Sequence, residues 1–429
     1  MAIAEQWNRL RASPMVGSYV VYALDFGLRI VVQLGYFLVI SRSLGAAGYG
    51  LFASIVAISQ LAAAFTGVGC EMVLIRRVAR DKTPFPLALG NAISATVLSL
   101  PVLIPLATFG ALTIGIEGLT LTAVLLIVAS DVGLNRGVTL ANMAFQAHER
   151  ARPQFVINIT TSLIKLGAAL LAFQLTETLT LEAWAWWYAG STALAGLFAF
   201  SVMVAKLGRP RPAFYPRDLG DGFIYALEFA SMAALRDLDK PIVADTLGAS
   251  TAGSYAAAFR IVDTACVPVR ALLRTTYVRY FHHAGQGASA AIAFARRVLP
   301  IMAGISLVLA LGLLVCAPII PWLIGEDYAP SVPIIRWMAV YPLVFGLSAM
   351  GADLLRGLNL QRARLYVMLF TTVTYVPIVW AGAKIFGAEG AAIARTLSQA
   401  MLLFATVWII GRVARRTGAD PAASSARQD

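Results

Sequence analysis

Between residues 16 and 411 the chain alternates long apolar runs with short polar connections. A membrane-crossing helix needs about 20 apolar residues. Twelve runs meet that length: 16 to 40, 50 to 75, 86 to 109, 119 to 141, 155 to 174, 183 to 205, 222 to 246, 254 to 278, 298 to 320, 332 to 355, 365 to 386 and 391 to 411. No connection is long enough to fold as a water-facing domain. One of them, KLGRPRPAFYPRD at 206 to 218, is expected to be held extended by its prolines and arginines. The pattern predicts an all-α polytopic membrane protein with twelve transmembrane helices. Its expected parts are a short N-terminus (1 to 15), a first six-helix bundle (16 to 205), a linker (206 to 221), a second six-helix bundle (222 to 411) and a tail (412 to 429). The tail lacks bulky apolar residues and is expected to be disordered. The first apolar run is too long for the core of a signal peptide and no small-residue cleavage site follows it, so the first helix is expected to be retained.

A local pattern recurs at the halfway point. SLGAAGYGLFASIVA follows the first run and TLGASTAGSYAAAFRIV follows the seventh, about 200 residues later. Each is a Leu-Gly pair, a turn of small residues and a tyrosine that opens a small-residue helix. The recurrence predicts two pseudo-symmetric bundles around a central cavity. Parallel repeats of this kind rock about a site near the middle of the bilayer.

Composition agrees with the pattern. Hydrophobic residues make up 59% of the 429 and charged residues 13%, and the mean hydropathy is +0.76. Such a chain has too little polar surface to cover a water-soluble fold. The net charge of +12 is explained by topology, because short loops rich in Lys and Arg stay on the cytoplasmic side. Counting from an inside N-terminus, one set of loops carries Arg76, Arg77, Arg80 and Lys82, then Arg150 and Arg152, then Lys206, Arg209, Arg211 and Arg217, then Arg279, Arg296 and Arg297, then Arg356, Arg362 and Arg364. The other set holds Glu117, Glu177, Glu182, Glu326, Asp327 and Glu389. Both termini are therefore expected in the cytoplasm, and nucleic acid is not an expected partner. Cys70, Cys266 and Cys316 lie in or beside apolar runs and show no disulfide or metal spacing.

Ionisable residues within the runs carry the functional signal, since a charge at the bilayer centre costs about 2.5–3.5 kcal/mol on an insertion scale. In the first run Ser18, Tyr22, Asp25, Arg29, Gln33 and Tyr36 are three or four residues apart and share one helical stripe. In the seventh run Tyr225, Glu228, Arg236 and Asp239 share a face beside Lys240, and in the eighth Arg260, Asp263, Arg270, Arg274 and Tyr277 do so. A milder stripe holds Asp131, Asn135, Thr139, Asn142 and Gln146, while Asn158, Lys165, Arg336 and Asp353 lie in other runs. Cations outnumber anions on these faces, so the expected cavity is wet, electropositive and suited to an anion.

The same residues carry a family resemblance. SRSLGAAGYGLFASIVAISQLAAAFTGVGCEMVLIRRVAR at 41 to 80 resembles the early signature of the polysaccharide-biosynthesis (Wzx-type) flippases, a branch of the multidrug/oligosaccharidyl-lipid/polysaccharide exporter superfamily. LDKPIVADTLGASTAGSYAAAFRIVD resembles the corresponding later segment through Asp239, Lys240, Leu247, Gly248, Gly253, Tyr255 and Arg260. Glu71 departs from the pattern, which is usually small or polar there, and Pro241 interrupts the seventh run directly after Asp239 and Lys240.

The resemblance implies a non-enzymatic transporter without a cofactor, in the inner membrane, that moves a polyprenyl-pyrophosphate-linked oligosaccharide outward by alternating access. Its partners would be the lipid-linked glycan, membrane lipid and other polysaccharide-assembly membrane proteins. Arg29, Arg260, Arg270, Arg274, Arg336 and Tyr22 are the expected substrate-binding residues, because arginine grips phosphate oxygens in paired hydrogen bonds. Asp25, Glu228, Asp239 and Asp263 are the expected coupling carboxylates. The rival expectation is an organic-cation antiporter of the same superfamily, whose cavity would be lined by carboxylates and aromatics. Asp237-Leu238-Asp239 has the Asp-x-Asp form of a nucleotide-sugar site, but no water-facing domain accompanies it.

Overall fold

The computed structural model describes the backbone of residues 14–113, 118–176 and 178–418, and the side chains of 27–113, 118–176, 178–277 and 279–415. The end of the tail, Glu117, Glu177 and the side chains of Ser18, Tyr22 and Asp25 lie outside the described residues. Among the described residues all regular structure is helical, and the chain divides into two compact units at Ala233/Ala234.

The first unit begins with α1 (Pro14–Ala63), a helix pair joined across Gly45, whose φ of 64° and ψ of 177° are non-helical. A short 3₁₀ turn (Thr66–Gly69) leads into α2 (Cys70–Ala79). Then follow α3 (Phe85–Thr113), α4 (Leu121–Ala129), a π-helical segment (Ser130–Leu134), α5 (Arg136–Ala147), α6 (Ala151–Leu175), α7 (Leu181–Leu207) and α8 (Pro216–Asp237), which runs into the second unit. The second unit continues with α9 (Asp239–Leu247), α10 (Ala249–Ala265), α11 (Val267–Gly285), α12 (Ala288–Cys316), α13 (Ile319–Ile324), α14 (Ser331–Met338), α15 (Tyr341–Gly357) and α16 (Gln361–Gly418). α16 is also a helix pair, joined across Gly387.

The outer surfaces are built for lipid. Val102 and Phe109 on α3, Val308 and Val315 on α12, and Val373 and Phe404 on α16 are all more than half exposed. Exposed apolar faces of this extent are incompatible with a water-soluble fold. Seven helices among the described residues are long and apolar enough to cross a bilayer, and α14 with α15 forms an eighth candidate bent by 42°. Of the seven, α16 contains the eleventh and twelfth predicted runs, and α1 the first run with the beginning of the second. The more polar α8–α9 and α10–α11 pairs carry the seventh and eighth. The chain is a multi-pass membrane protein.

The structure adds breaks inside spans that the apolar pattern presents as continuous. The second run is interrupted at Thr66–Gly69, where Gly67, Val68 and Gly69 all have positive φ. A Cβ on Gly69 would lie 2.2 Å from the carbonyl oxygen of Gly222, so only glycine allows α8 this close. Buried Arg136 spans the break: it donates to the carbonyl of Ala63, the last residue of α1, and pairs with Glu71 in the first turn of α2 at 3.2 Å. Glu71, the departure from the family pattern, is thus the counter-ion of a helix-capping arginine.

The repeat has a backbone counterpart. Gly45 (φ 64°, ψ 177°) and Gly248 (φ 88°, ψ 163°) occupy the same Gly-only region at the Leu-Gly pair of each unit.

Candidate functional site: a buried arginine–aspartate network

The seventh run is broken where its proline requires it. Pro241 has no N–H to offer the carbonyl of Asp237, and α8 ends at Asp237 while α9 starts at Asp239. The break leaves backbone carbonyls open. Arg395, from the second half of α16, fills this gap and donates from Nη2 to the carbonyl of Arg236 at 2.8 Å.

Arg395 is 2% exposed and organises a closed cluster. Its Nη1 pairs with the carboxylate of Asp239, which is 0% exposed, and also donates to the Tyr375 hydroxyl at 3.2 Å. The Tyr255 hydroxyl donates to the same Asp239 Oδ2 at 2.6 Å. The guanidinium lies 3.3 Å from the centre of the Phe259 ring. A charge taken out of water is tolerated only with such partners.

A second, more open layer surrounds it. Lys240 is ion-paired with Asp237 one turn earlier. Asp263 lies between two arginines: Arg236 Nη2 approaches Oδ2 at 3.4 Å, and Arg270 Nη2 pairs with Oδ1 while its Nη1 donates to the Asp263 carbonyl at 3.1 Å. Arg260 is close enough to act on Asp263 electrostatically. The Asp-x-Asp pair is therefore occupied by protein cations, Asp237 by Lys240 and Asp239 by Arg395.

Of the expected substrate-binding residues, Arg270 and Arg260 lie in or beside this network. Arg274 is exposed on α11 and Arg336 exposed on α14. Arg29 is half-buried on α1 of the first unit, and Tyr22 falls outside the described side chains. Of the expected coupling carboxylates, Asp239 and Asp263 are central to the network, Glu228 is half-buried on α8, and Asp25 falls outside the described side chains. Arg395 and Tyr375 were not anticipated. Arg395 stands as a lone charge in an alanine-rich run, with no charged residue three or four positions away to mark it, and its partner is 156 residues away.

The first unit holds a separate polar site. Asp131 lies buried in the π-helical segment and accepts a 2.6 Å hydrogen bond from the Tyr188 hydroxyl. The Lys165 ammonium is 5.3 Å from the Tyr188 ring centre. Tyr36, Phe52 and Trp184 form the aromatic wall around it. π-Helical insertions of this kind are frequent at functional sites.

Of the predicted linker only 208–215 is non-helical, and 216–221 forms the start of α8; the segment is docked, with the Arg211 N–H donating to the Pro86 carbonyl at 2.9 Å. Arg77 grips Asp218 through two hydrogen bonds of 2.6 and 2.8 Å, Asn91 donates to the same carboxylate at 2.8 Å, and the Tyr215 N–H donates to Asn91 at 2.7 Å. Arg76 adds a 2.8 Å pair with Asp221. The hydrogen bond to Asp218 raises the pKa of Arg77 above its ordinary value and keeps it charged.

Several solved structures share this fold. An inward-facing multidrug resistance MATE transporter of the MOP superfamily matches with a TM-score of 0.71 at 16% identity, over 93% of this chain and 98% of that one. The lipid II flippase MurJ in an inward closed conformation matches with a TM-score of 0.65 at 10% identity, over 91% and 87%. A MOP superfamily transporter from Pyrococcus furiosus, described as having a binding pocket of reverse polarity, matches with a TM-score of 0.58 at 16% identity, over 92% and 96%. No curated protein matches. The family model for polysaccharide biosynthesis proteins matches residues 20–269, more than half of the chain. With that match and this fold in hand, the chain is a multi-pass membrane protein belonging to the polysaccharide biosynthesis protein family.

Proposed function

We propose that this protein carries a polyprenyl-pyrophosphate-linked oligosaccharide from the cytoplasmic to the outer leaflet of the inner membrane by alternating access, for surface polysaccharide biosynthesis. The supporting observation is the arginine excess on its polar helices. Arg236, Arg260, Arg270, Arg274 and Arg336 lie in spans of the second unit and Arg29 in the first span. Guanidinium groups at membrane depth are costly, and they suit a cargo whose constant feature is a pyrophosphate. Arg29, Arg260, Arg270, Arg274, Arg336 and Tyr22 are assigned to the anionic head and sugars, while the polyprenyl tail stays in lipid. Both termini and the arginine-rich loops face the cytoplasm.

Coupling is assigned to Asp25, Glu228, Asp239 and Asp263. Because Asp239 and Asp263 are paired with arginines, protonating either would release a guanidinium. Proton occupancy and the field at the anion site are then linked.

A second reading is an organic-cation antiporter. It is favoured by the buried Asp131 with its aromatic wall, since a carboxylate among aromatics attracts a cation. Vesicles reconstituted with the protein separate the two. Accessibility of a fluorescent polyprenyl-pyrophosphate glycan to an outside quencher should rise with protein present. Gradient-driven uptake of a cationic dye without glycan movement would favour the antiporter instead.

A further inference from the structure

The environment of Asp263 is that of a bound anion. Its two carboxylate oxygens are divided between two arginines from different helices: Arg236 at the end of α8 reaches Oδ2 at 3.4 Å, and Arg270 on α11 holds Oδ1. A phosphate oxyanion bridging two guanidinium groups would be held in this way. The carboxylate itself is nearly enclosed, with a side chain 10% exposed, whereas the side chains of Arg236 and Arg270 are 55% and 31% exposed. Each guanidinium carries five N–H donors. Among the described residues Asp263 engages one on Arg236 and two on Arg270, counting its backbone carbonyl. Donors therefore remain on the accessible side of both arginines. The Phe345 ring, 5.4 Å from the Arg270 guanidinium carbon, limits where that head can move.

Resting on the reading of the cargo as anionic, we propose that Asp263 is a resident competitor for the cargo's oxyanion. It holds Arg236 and Arg270 in place while the site is empty and yields them when a phosphate or sugar carboxylate arrives. Arg236 then joins Arg270 as a direct oxyanion ligand. The arrangement serves transport, because a site that binds its cargo too tightly cannot release it. A single carboxylate is a weaker partner for two arginines than a diphosphate of higher charge, so it is displaced on loading. Its return assists unloading. Displacement also has a cost, since an enclosed carboxylate loses its counter-charges, and this cost sets the affinity low.

The test is equilibrium binding of geranyl pyrophosphate to the full-length protein in nanodiscs, with glucuronate as a second oxyanion and geraniol as the uncharged control. Asp263→Asn should bind geranyl pyrophosphate about tenfold more tightly than the wild type and release it more slowly, the scale of one charge-assisted hydrogen bond. Arg236→Gln and Arg270→Gln should each weaken binding by about tenfold. Asp263→Ser removes the same charge and serves where the asparagine variant is not recovered folded. Tightening for either oxyanion supports the competitor role, and the oxyanion that responds shows whether the carrier's phosphate or the glycan's acid sits at the arginines. If the wild type binds and both Asp263 variants bind equally or more weakly, the competitor role is overturned while the cargo reading stands. If no form binds either oxyanion, both are overturned.

Discussion

The pair that most constrains the second unit is Arg395 with Asp239. Both are almost fully buried and 156 residues apart in sequence, and each supplies the counter-charge that the other requires. Removing one partner of a buried pair costs about 3–5 kcal/mol, because an uncompensated charge remains. Arg395→Met alone should therefore lower the unfolding temperature in detergent markedly. Adding Asp239→Asn should restore much of the loss, since the double variant removes both charges of the pair; a loss equal to the sum of those of the two single variants would mean that the pair is not coupled. At this scale the sequence was legible where charges fall on a stripe. Arg270, Asp263, Arg236 and Asp239 announce themselves at helical spacing, and the structure gathers them into one network. Arg395 was not legible, because a solitary arginine among alanines gives no sign of which distant carboxylate it will meet.

At the scale of elements, glycine and proline set where the helices bend. Gly45 and Gly248 adopt the same Gly-only conformation at the start of equivalent helices. An added Cβ at Gly248 meets no heavy atom within 4 Å, so a substitution there reports backbone strain alone. Gly248→Ala should destabilise the protein by about 1–3 kcal/mol, read as a drop in thermal midpoint. A variant with unchanged stability would show that the turn does not require positive φ. Gly69→Ala should be the more damaging change, since its Cβ would lie 2.2 Å from a backbone oxygen of α8.

The apolar runs were readable where long stretches of apolar residues recur; the charge-broken seventh and eighth are carried by helices that are not, among the described residues, long and apolar enough to cross a bilayer. The breaks were less readable. Pro241 marked the one in the seventh run, and Pro268 at the start of α11 marks the one in the eighth. The 3₁₀ turn at Thr66–Gly69 depends on α8 pressing against it, a tertiary cause that hydrophobic periodicity does not carry.

At the scale of the whole molecule, the linker that follows α7 is fastened to its own unit. Its composition predicts an extended segment over 206 to 218, whereas only 208–215 is non-helical, and Asp218, in the first turn of α8, is the anchor held by Arg77 and Asn91. Arg77 and its neighbour Arg76 read as topogenic charges, yet they also bind this segment. Arg77→Ala should free it, and trypsin added to reconstituted vesicles should then cut after Lys206 or Arg217 faster than in the wild type, Arg209 and Arg211 being protected by the prolines that follow them. Unchanged cleavage would show that the other contacts suffice.

The central claim concerns cargo, and the most direct measurement is protein-dependent flipping of a fluorescent polyprenyl-pyrophosphate glycan in reconstituted vesicles, comparing the wild type with Arg29→Ala and Arg270→Ala. The account predicts flipping by the wild type and its loss, by about tenfold or more, when either arginine is removed. Flipping that is absent from the wild type, or unaffected by either change, would contradict it.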